Sequence, residues 1–552
     1  ANCLMETSVA QYLVQVPDPV LFVIDCVWNM VPSLIRVRAG PLVQFLRSHH
    51  PTVPIVLAED TKGGDSWINP VDQEERRTAL RAAYDELVNN GETNLYYVHG
   101  EQLFNFVAMD DKFMSPTVDG IHPNDIGMQA MTDFYVNFLP SILLTTPVDV
   151  SIPTSPRFHT VTPVPQWCFT CYPVQDTTPD WDSADGAWQF THIEKLGLMG
   201  SGFNDAPTPM TRLPARAYGK VSDAVWKCSL DSTGLSVAFE TDATAIAFYY
   251  DLREGSPYLW HMPLSSSAGI DLYRFDEANG VWGYVSNLQT YFPAKGSPHL
   301  GTLSGRLPKL DKVSQYLIFL PLRSEVVWAY VGVNEGAIPA RRNGAFAADG
   351  VTINGRKPII WYGSSRSLAG AATRPGCIYT NILMRSLGRV VLNMDFAGDD
   401  GREIGAVEFL PEIDAFAIVI EYLWSMPTQA VVDITGPLVR SIRLRRPNTP
   451  IILAEGFHSS RHGLSTSFTN MAALRMEYDK LVSAGVGHLY VVEGNRTELY
   501  GQAPSVTSTL EGFLPTDLGH WEVAKFYTRY FQNFPPSTTT TTTSTTTTTT
   551  TT

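Results

Sequence analysis

Asp119 and His122 stand three residues apart in one short loop, Asp119-Gly120-Ile121-His122-Pro123. A carboxylate at that spacing orients an imidazole and stabilises its cation, so the histidine can take a proton from a hydroxyl nucleophile. The surrounding segment, VDGIHPNDIGM, has a near copy toward the other end of the chain, LEGFLPTDLGH. There Glu511 and Leu514 hold the places of Asp119 and His122. The later copy also contains Asp517-Leu518-Gly519-His520, a second Asp-x-x-His. Its first three residues align with Asp125, Ile126 and Gly127 at the start of a helix. His520 therefore reads as a helix residue pointing elsewhere, with Asp517 and His520 as a substitute acid–base pair the alternative.

Other polar residues point less sharply to chemistry. Glu59, Asp60 and Glu455 follow strand-like runs and read as substrate-contacting or solvated loop residues. His458 and His462 sit in a Ser- and Gly-rich loop at a spacing not diagnostic of a metal site. Cys168 and Cys171 form a lone Cys-Phe-Thr-Cys, and a metal site would want a second such pair.

The near copies extend well beyond this loop. VLFVIDCVWNM, PIVLAED and RAAYDELVNNGETNLYYVHG recur in order as AIVIEYLWSM, PIILAEG and RMEYDKLVSAGVGHLYVVEG. Pro54 matches Pro450 at an offset of 396, Leu95 matches Leu489 at 394, and Asp119 matches Glu511 at 392. Preserved order with small loop deletions is the mark of a duplication. Ala1 to Glu6 align with Gly398 to Glu403, so the first copy is expected to begin mid-domain, as part of a longer tandem array.

These segments alternate strands with helices. Pro358 to Tyr362, Arg389 to Asn393, Ala417 to Glu421, Ile451 to Glu455 and Leu489 to Glu493 are continuous apolar runs, with helical stretches such as Met471 to Ala484 between them. That pattern predicts an α/β fold with a parallel, doubly wound sheet and helices on both faces. Ligands bind such sheets beyond the carboxyl ends of the strands, where Ser365, Gly398, Ser425 and the Glu511–Leu514 loop all fall. From Ala187 to about Asn354 the texture differs: short alternating runs between turns. Leu235, Val237 and Phe239 share one face, Ile246, Phe248 and Tyr250 another, and QYLIFLPL and VVWAYVGV are further strands. An antiparallel, jelly-roll-like β-sandwich is expected there. The expected division is 1–142, a partial α/β domain; 143–185, a Pro/Thr-rich linker; 186–355, the sandwich; 356–535, the second α/β domain; and 536–552, a Thr-rich tail.

At 552 residues with 44% hydrophobic residues, the chain can fill several cores. A net charge of −15 argues against nucleic acid and anionic membranes as partners. No apolar run reaches the ~18 residues of a membrane-spanning helix. The tail from Ser537 to Thr552 contains only Ser and Thr, and Asn495-Arg496-Thr497 is a glycosylation sequon. Together they favour an extracellular or secretory location.

The region from Trp188 to Phe534 resembles the SGNH (GDSL-type) hydrolases, in the subgroup where a β-sandwich precedes the hydrolase domain. The stretches that carry the resemblance are TRLPARAYGKV, VWKCSLDSTGLSVAFETDATAIAFYY, HMPLSSSAGIDLY and IIWYGSSRSLAGAATRPGCIY. Residues 1–140 resemble the second half of the same hydrolase domain. The resemblance implies a flavodoxin-like three-layer α/β/α fold and acyl or ester chemistry on small or carbohydrate-linked substrates, without a cofactor. It makes Ser365 the nucleophile and Gly398 a backbone oxyanion donor. Asn29 would be the side-chain donor of the first copy, where the second has Ser425. His122 and Asp119 would be the base and its orienting acid. Arg366, directly after Ser365, departs from the family pattern and would crowd the site.

The second copy thus keeps a nucleophile without the base, and the first keeps a base without a visible nucleophile. An esterase with one impaired copy is the leading expectation, and a non-catalytic binding or structural tandem-repeat protein the alternative. Neighbouring repeats of the same array are the expected partners besides an ester substrate. A composite site, with Ser365 served by His122, would need the second copy's own Glu511–Leu514 loop displaced.

Overall fold

A computed structural model of the chain describes residues 4–27, 30–61, 70–103, 116–118, 122–143, 188–253, 259, 261–288, 299–303, 313–334, 337, 339–340, 350–396, 405–456, 464–494, 508–510 and 513–534. The linker from residue 144, with its Cys-Phe-Thr-Cys, lies outside the described residues, as do the sequon, the tail, His458 and His462.

The N-terminal unit runs α1 (Thr7–Leu13), β1 (Phe22–Ile24), α2 (Pro32–His49), β2 (Ile55–Ala58), α3 (Pro70–Asn89), β3 (Leu95–Val98), α4 (Gly100–Leu103) and α5 (Asp125–Leu143). Its three strands form a parallel sheet in the order β1-β2-β3. The middle strand, Ile-Val-Leu-Ala, is buried at every position, as expected when both faces are covered.

The middle unit holds β4 (Gln189–His192), β5 (Gly197–Met199), α6 (Asp223–Ser229), β6 (Ser236–Thr241), β7 (Ile246–Leu252), α7 (Leu264–Ser267), β8 (Ile270–Asp276), β9 (Val281–Leu288), β10 (His299–Leu303), β11 (Ser314–Phe319) and β12 (Val326–Val333). These strands make antiparallel sheets of order β10-β7-β12-β4 and β5-β6-β11-β8-β9. Leu235, Val237 and Phe239 share one core with Ile246, Phe248 and Tyr250, so the two alternating faces meet between the sheets. This is the two-sheet sandwich that the alternation predicts.

The C-terminal unit runs β13 (Ile359–Tyr362), α8 (Ser365–Leu368), α9 (Tyr379–Leu387), β14 (Val391–Asn393), β15 (Ala417–Ile420), α10 (Thr428–Arg445), β16 (Ile451–Ala454), α11 (Leu464–Ser483), β17 (Leu489–Val492), β18 (Thr509–Leu510), β19 (Leu514–Pro515) and α12 (Asp517–Gln532). The five parallel strands are ordered β14-β13-β15-β16-β17. That is the flavodoxin-like 2-1-3-4-5 order, whose direction reverses beside the first strand. A crevice therefore opens beyond the carboxyl ends of β13 and β15. Every residue of β13 and β15 is buried, which is why both read as unbroken apolar runs.

The two α/β units match in detail. Arg47 on α2 donates to the carbonyls of Val53 and Asn94, and Arg443 on α10 to those of Thr449 and His488. No described helix is long and apolar enough to cross a membrane.

Candidate functional site

The chain turns sharply after β13. A Cβ on Gly363 would lie 1.8 Å from Ser367 Oγ, so glycine is what lets α8 seat directly on the strand end. Ser365 opens α8 and is half-buried at the reversal point of the sheet. Its N–H belongs to the first turn, where no intrahelical acceptor exists. Polar side chains beneath fix the helix. Ser367 Oγ donates to Asp395 Oδ2 at 2.7 Å, and Asn393 Nδ2 donates to Ser367 O at 2.7 Å. Burial pushes the Asp395 carboxyl up to about 6. From the sandwich, the buried Arg212 donates to the carbonyls of Asn393 and Asp395 at 2.9 and 2.8 Å. Beyond β15, Glu421 accepts from Trp361 Nε1 at 2.6 Å and from the Tyr379 hydroxyl, and burial raises its carboxyl.

The base position lies on the hairpin next to this helix. β18 and β19 pair Thr509 with Pro515 and Leu510 with Leu514. β19 packs on α8, and Ala371 N–H donates to Pro515 O at 2.8 Å. The N-terminal unit repeats the hairpin: Thr117 bridges Pro123, and Val118 N–H donates to His122 O at 2.8 Å. His122, exposed, and Leu514, 7% exposed, therefore occupy the same register of the same turn. Beside Leu514, the fully buried Arg366 guanidinium stacks 4.7 Å from the Phe513 ring centre.

The model of the GDSL-like lipase/acylhydrolase family matches residues 1–140 and 356–532. The chain belongs to this family. A second model, the N-terminus of the SGNH-hydrolase-type esterases, matches residues 188–338. That stretch holds Gly269-Ile270-Asp271-Leu272-Tyr273. Among solved structures, the crystal structure of a protein described as a putative GDSL-like lipase from Bacteroides ovatus is 22% identical with a TM-score of 0.55, covering 62% of this chain and 97% of that one. At that identity the likeness concerns the fold alone. The salicylyl-acyltransferase SsfX3 from a tetracycline biosynthetic pathway is 16% identical, TM-score 0.48, covering 63% and 98%. A family two carbohydrate esterase from Clostridium thermocellum, solved with cellohexaose, is 11% identical, TM-score 0.38, covering 55% and 92%. No curated protein matches the chain.

Within this acylhydrolase fold, Ser365 and the Leu514 hairpin are brought together. Gly398, Asn29 and Asp119 lie outside the described residues, as do Glu511 and the side chain of Ser425. His520 is fully buried: its Nδ1 accepts from Tyr379 N–H at 3.3 Å and its Nε2 faces Ala369 O at 3.1 Å. The first contact leaves Nδ1 as acceptor and the second makes Nε2 the donor, so neither nitrogen remains for a serine. Burial depresses the imidazole to about 3. Asp517 is likewise engaged, accepting from Thr373 N–H at 2.8 Å, from the Thr373 hydroxyl and from Asn124 Nδ2. The Asp-x-x-His spacing at 517–520 thus belongs to helix packing and does not place a base on Ser365. The Leu514 hairpin stays seated on α8, so the displacement that a composite site with His122 requires is not seen.

Glu59 and Glu455 differ from the loop roles expected of them. Both are buried. Glu59 accepts from Arg81 Nη2 at 2.6 Å and Gly100 N–H at 2.8 Å. Glu455 accepts from Arg475 Nη2 at 2.7 Å and Gly494 N–H at 2.9 Å. Asp60, also buried, accepts from Arg77 Nε at 2.9 Å. Glu59 and Glu455 thus pin the turn after the next strand, and Asp60 is held by helix α3; none of the three is solvated. The sequence reading missed Asp395 and Glu421. The available signal was a carboxylate closing an apolar strand, in Val-Leu-Asn-Met-Asp395 and Ile-Val-Ile-Glu421.

Proposed function

We propose that this chain is an SGNH-type serine ester or acyl hydrolase built from duplicated units, in which the C-terminal unit is impaired. Ser365 is the nucleophile of that unit, with its own N–H and that of Gly398 as oxyanion donors. Leu514 stands where the base is needed, Glu511 where its orienting acid would be, and Ser425 where the N-terminal unit has Asn29. His122, with Asp119 behind it, is the base of the N-terminal unit. Residues 1–142, 186–355 and 356–535 are the folded domains, with spacers at 143–185 and 536–552. The substrate is a small or carbohydrate-linked ester, and the Ser/Thr tail and sequon favour an extracellular setting.

The observation that carries this reading is the seating of Ser365 at the sheet's reversal point, beside a hairpin that presents histidine in one unit and leucine in the other. The test is hydrolysis of a short-chain aryl ester by the full chain carrying Leu514→His and Glu511→Asp. Turnover that appears with these changes and vanishes on adding Ser365→Ala supports the reading; its absence in a folded variant refutes it. A second reading, a binding module without catalysis, is favoured for the C-terminal unit by the buried Leu514 and the occupied nitrogens of His520.

A further inference from the structure

Arg374 lies in the Arg374-Pro375-Gly376 turn between α8 and α9 and touches all three units. It is 1% exposed. Its Nη1 donates to Asp271 Oδ2 at 2.8 Å and to the Tyr273 hydroxyl at 2.7 Å, both on β8 of the sandwich. Asp271 is itself held by Gly376 N–H at 2.7 Å and Asn287 Nδ2 at 2.8 Å. The guanidinium lies 3.9 Å from the centre of the Tyr284 ring on β9. A buried cation is tolerable only when paired and hydrogen-bonded, and Asp271 and Tyr273 supply that.

The remaining edge of this cluster is turned to the N-terminal unit. Arg374 Nε donates to Thr117 O at 3.1 Å, and the Tyr284 hydroxyl donates to Val118 O at 3.3 Å. Thr117 and Val118 form the first leg of the hairpin that ends in His122 and Pro123. The second leg is held as well. Asn124 Nδ2 donates to Asp517 Oδ2 at 2.9 Å, Leu518 N–H donates to Asp125 Oδ2 at 2.8 Å, and Ile126 packs with Leu518 and Trp521. Both legs are thus gripped by groups from the sandwich and the C-terminal hydrolase unit.

We propose that the seam between sandwich and hydrolase, centred on Arg374 and Tyr284, is a docking surface for the base hairpin of a neighbouring hydrolase unit and fixes that hairpin's conformation. The partner is a second unit of this same kind, recognised through the paired carbonyls of Thr117 and Val118 and the Asn124-Asp125 helix start. Arg374 and Tyr284 are positioning residues: they act on the backbone that carries His122, and touch no substrate. The functional meaning rests on the reading of His122 as a base. One repeat would then order the acid–base loop of the repeat before it, and the Gly-x-Asp-Leu-Tyr sandwich would serve its neighbour as well as its own hydrolase.

The test is amide hydrogen exchange on the full chain, wild type beside Tyr284→Phe and Arg374→Lys. Phenylalanine keeps the ring under Arg374 and removes the bond to Val118 O. Lysine keeps the charge for Asp271 and removes the bond to Thr117 O. Exchange at the Val118 and Asn124 amides is expected to rise about five- to tenfold per lost bond, while the Ile359–Tyr362 amides stay as protected as before. Unchanged exchange at Val118 in Tyr284→Phe overturns the proposal, as does a uniform rise throughout the chain or an unprotected Val118 amide in the wild type. If Arg374→Lys misfolds, Tyr284→Phe decides alone. Docking is read by exchange and the base role by ester assays, so failure of one is distinguishable from failure of the other.

Discussion

Replacing Leu514 by histidine, with Glu511→Asp to orient it, should switch on hydrolysis at Ser365. The hairpin already has the register that presents His122 in the N-terminal unit, so no backbone change is required. A positioned general base contributes roughly 10²–10⁴ in rate. At about 1.36 kcal/mol per tenfold, that is about 2.7–5.4 kcal/mol off the barrier. Arg366 works against it. A buried guanidinium next to the nucleophile opposes the imidazolium that forms in the transition state, and about 1–2 kcal/mol of repulsion at the effective dielectric of a partly buried site removes roughly a decade. The expected gain in kcat/KM is therefore about 10–10³-fold, rising by about another tenfold on adding Arg366→Ile. Leu514 is 7% exposed, so losing its apolar contacts and burying an imidazole should cost about 1–3 kcal/mol of stability, within the margin of a folded domain. The assay is steady-state cleavage of a short-chain aryl ester at pH 7–8, with Ser365→Ala on the same background as control. A variant that still unfolds cooperatively, at the modestly lowered stability expected, yet turns over no faster than its parent refutes the argument.

His520→Ala should leave any Ser365-dependent hydrolysis unchanged but lower stability by about 2–4 kcal/mol, because Tyr379 N–H and Ala369 O lose their partner inside the core; denaturant unfolding measures it. Gly363→Ala forces a Cβ into Ser367 Oγ, so it should displace α8 and abolish turnover gained by the Leu514→His variant, at about 1–3 kcal/mol of stability. Burial raises Asp395 from 3.8 to about 6, so the folded state holds its proton where the unfolded chain has lost it. Its contribution is therefore present in full below pH ~4 and falls away as pH rises through about 6, a change of roughly 3 kcal/mol, and Asp395→Asn should flatten the melting temperature across that window. Asp125, raised to about 7 by burial and by Asp517 beside it, should act with the same sign up to about pH 7, and Asp125→Asn should flatten that upper end.

Much of the architecture was legible because burial on both faces leaves unbroken apolar runs, as at Ile359–Tyr362 and Ile451–Ala454. The sandwich was legible because Val326–Val333 and its neighbours alternate around one core. Helix α11 begins at Leu464, earlier than the Met471 expected, because Ser-Thr-Ser-Phe-Thr-Asn carries no apolar period. Side-chain roles were harder to read. Asp-x-x-His at 517–520 fits a triad loop and the first turn of a buried helix equally well, and only the contacts with Tyr379 and Ala369 separate the two. Glu59 and Glu455 looked like loop carboxylates because their arginines lie 22 and 20 residues further on. The bond from Arg374 to Thr117 spans 257 residues and has no local signal at all.

The most direct test of the missing base is hydrolysis of a short-chain aryl ester by the unmodified full chain beside its Ser365→Ala variant. With Leu514 at the base position and His520 locked in the core, the two should turn over alike. Turnover that disappears in Ser365→Ala would show that the C-terminal unit is a working enzyme and contradict the account.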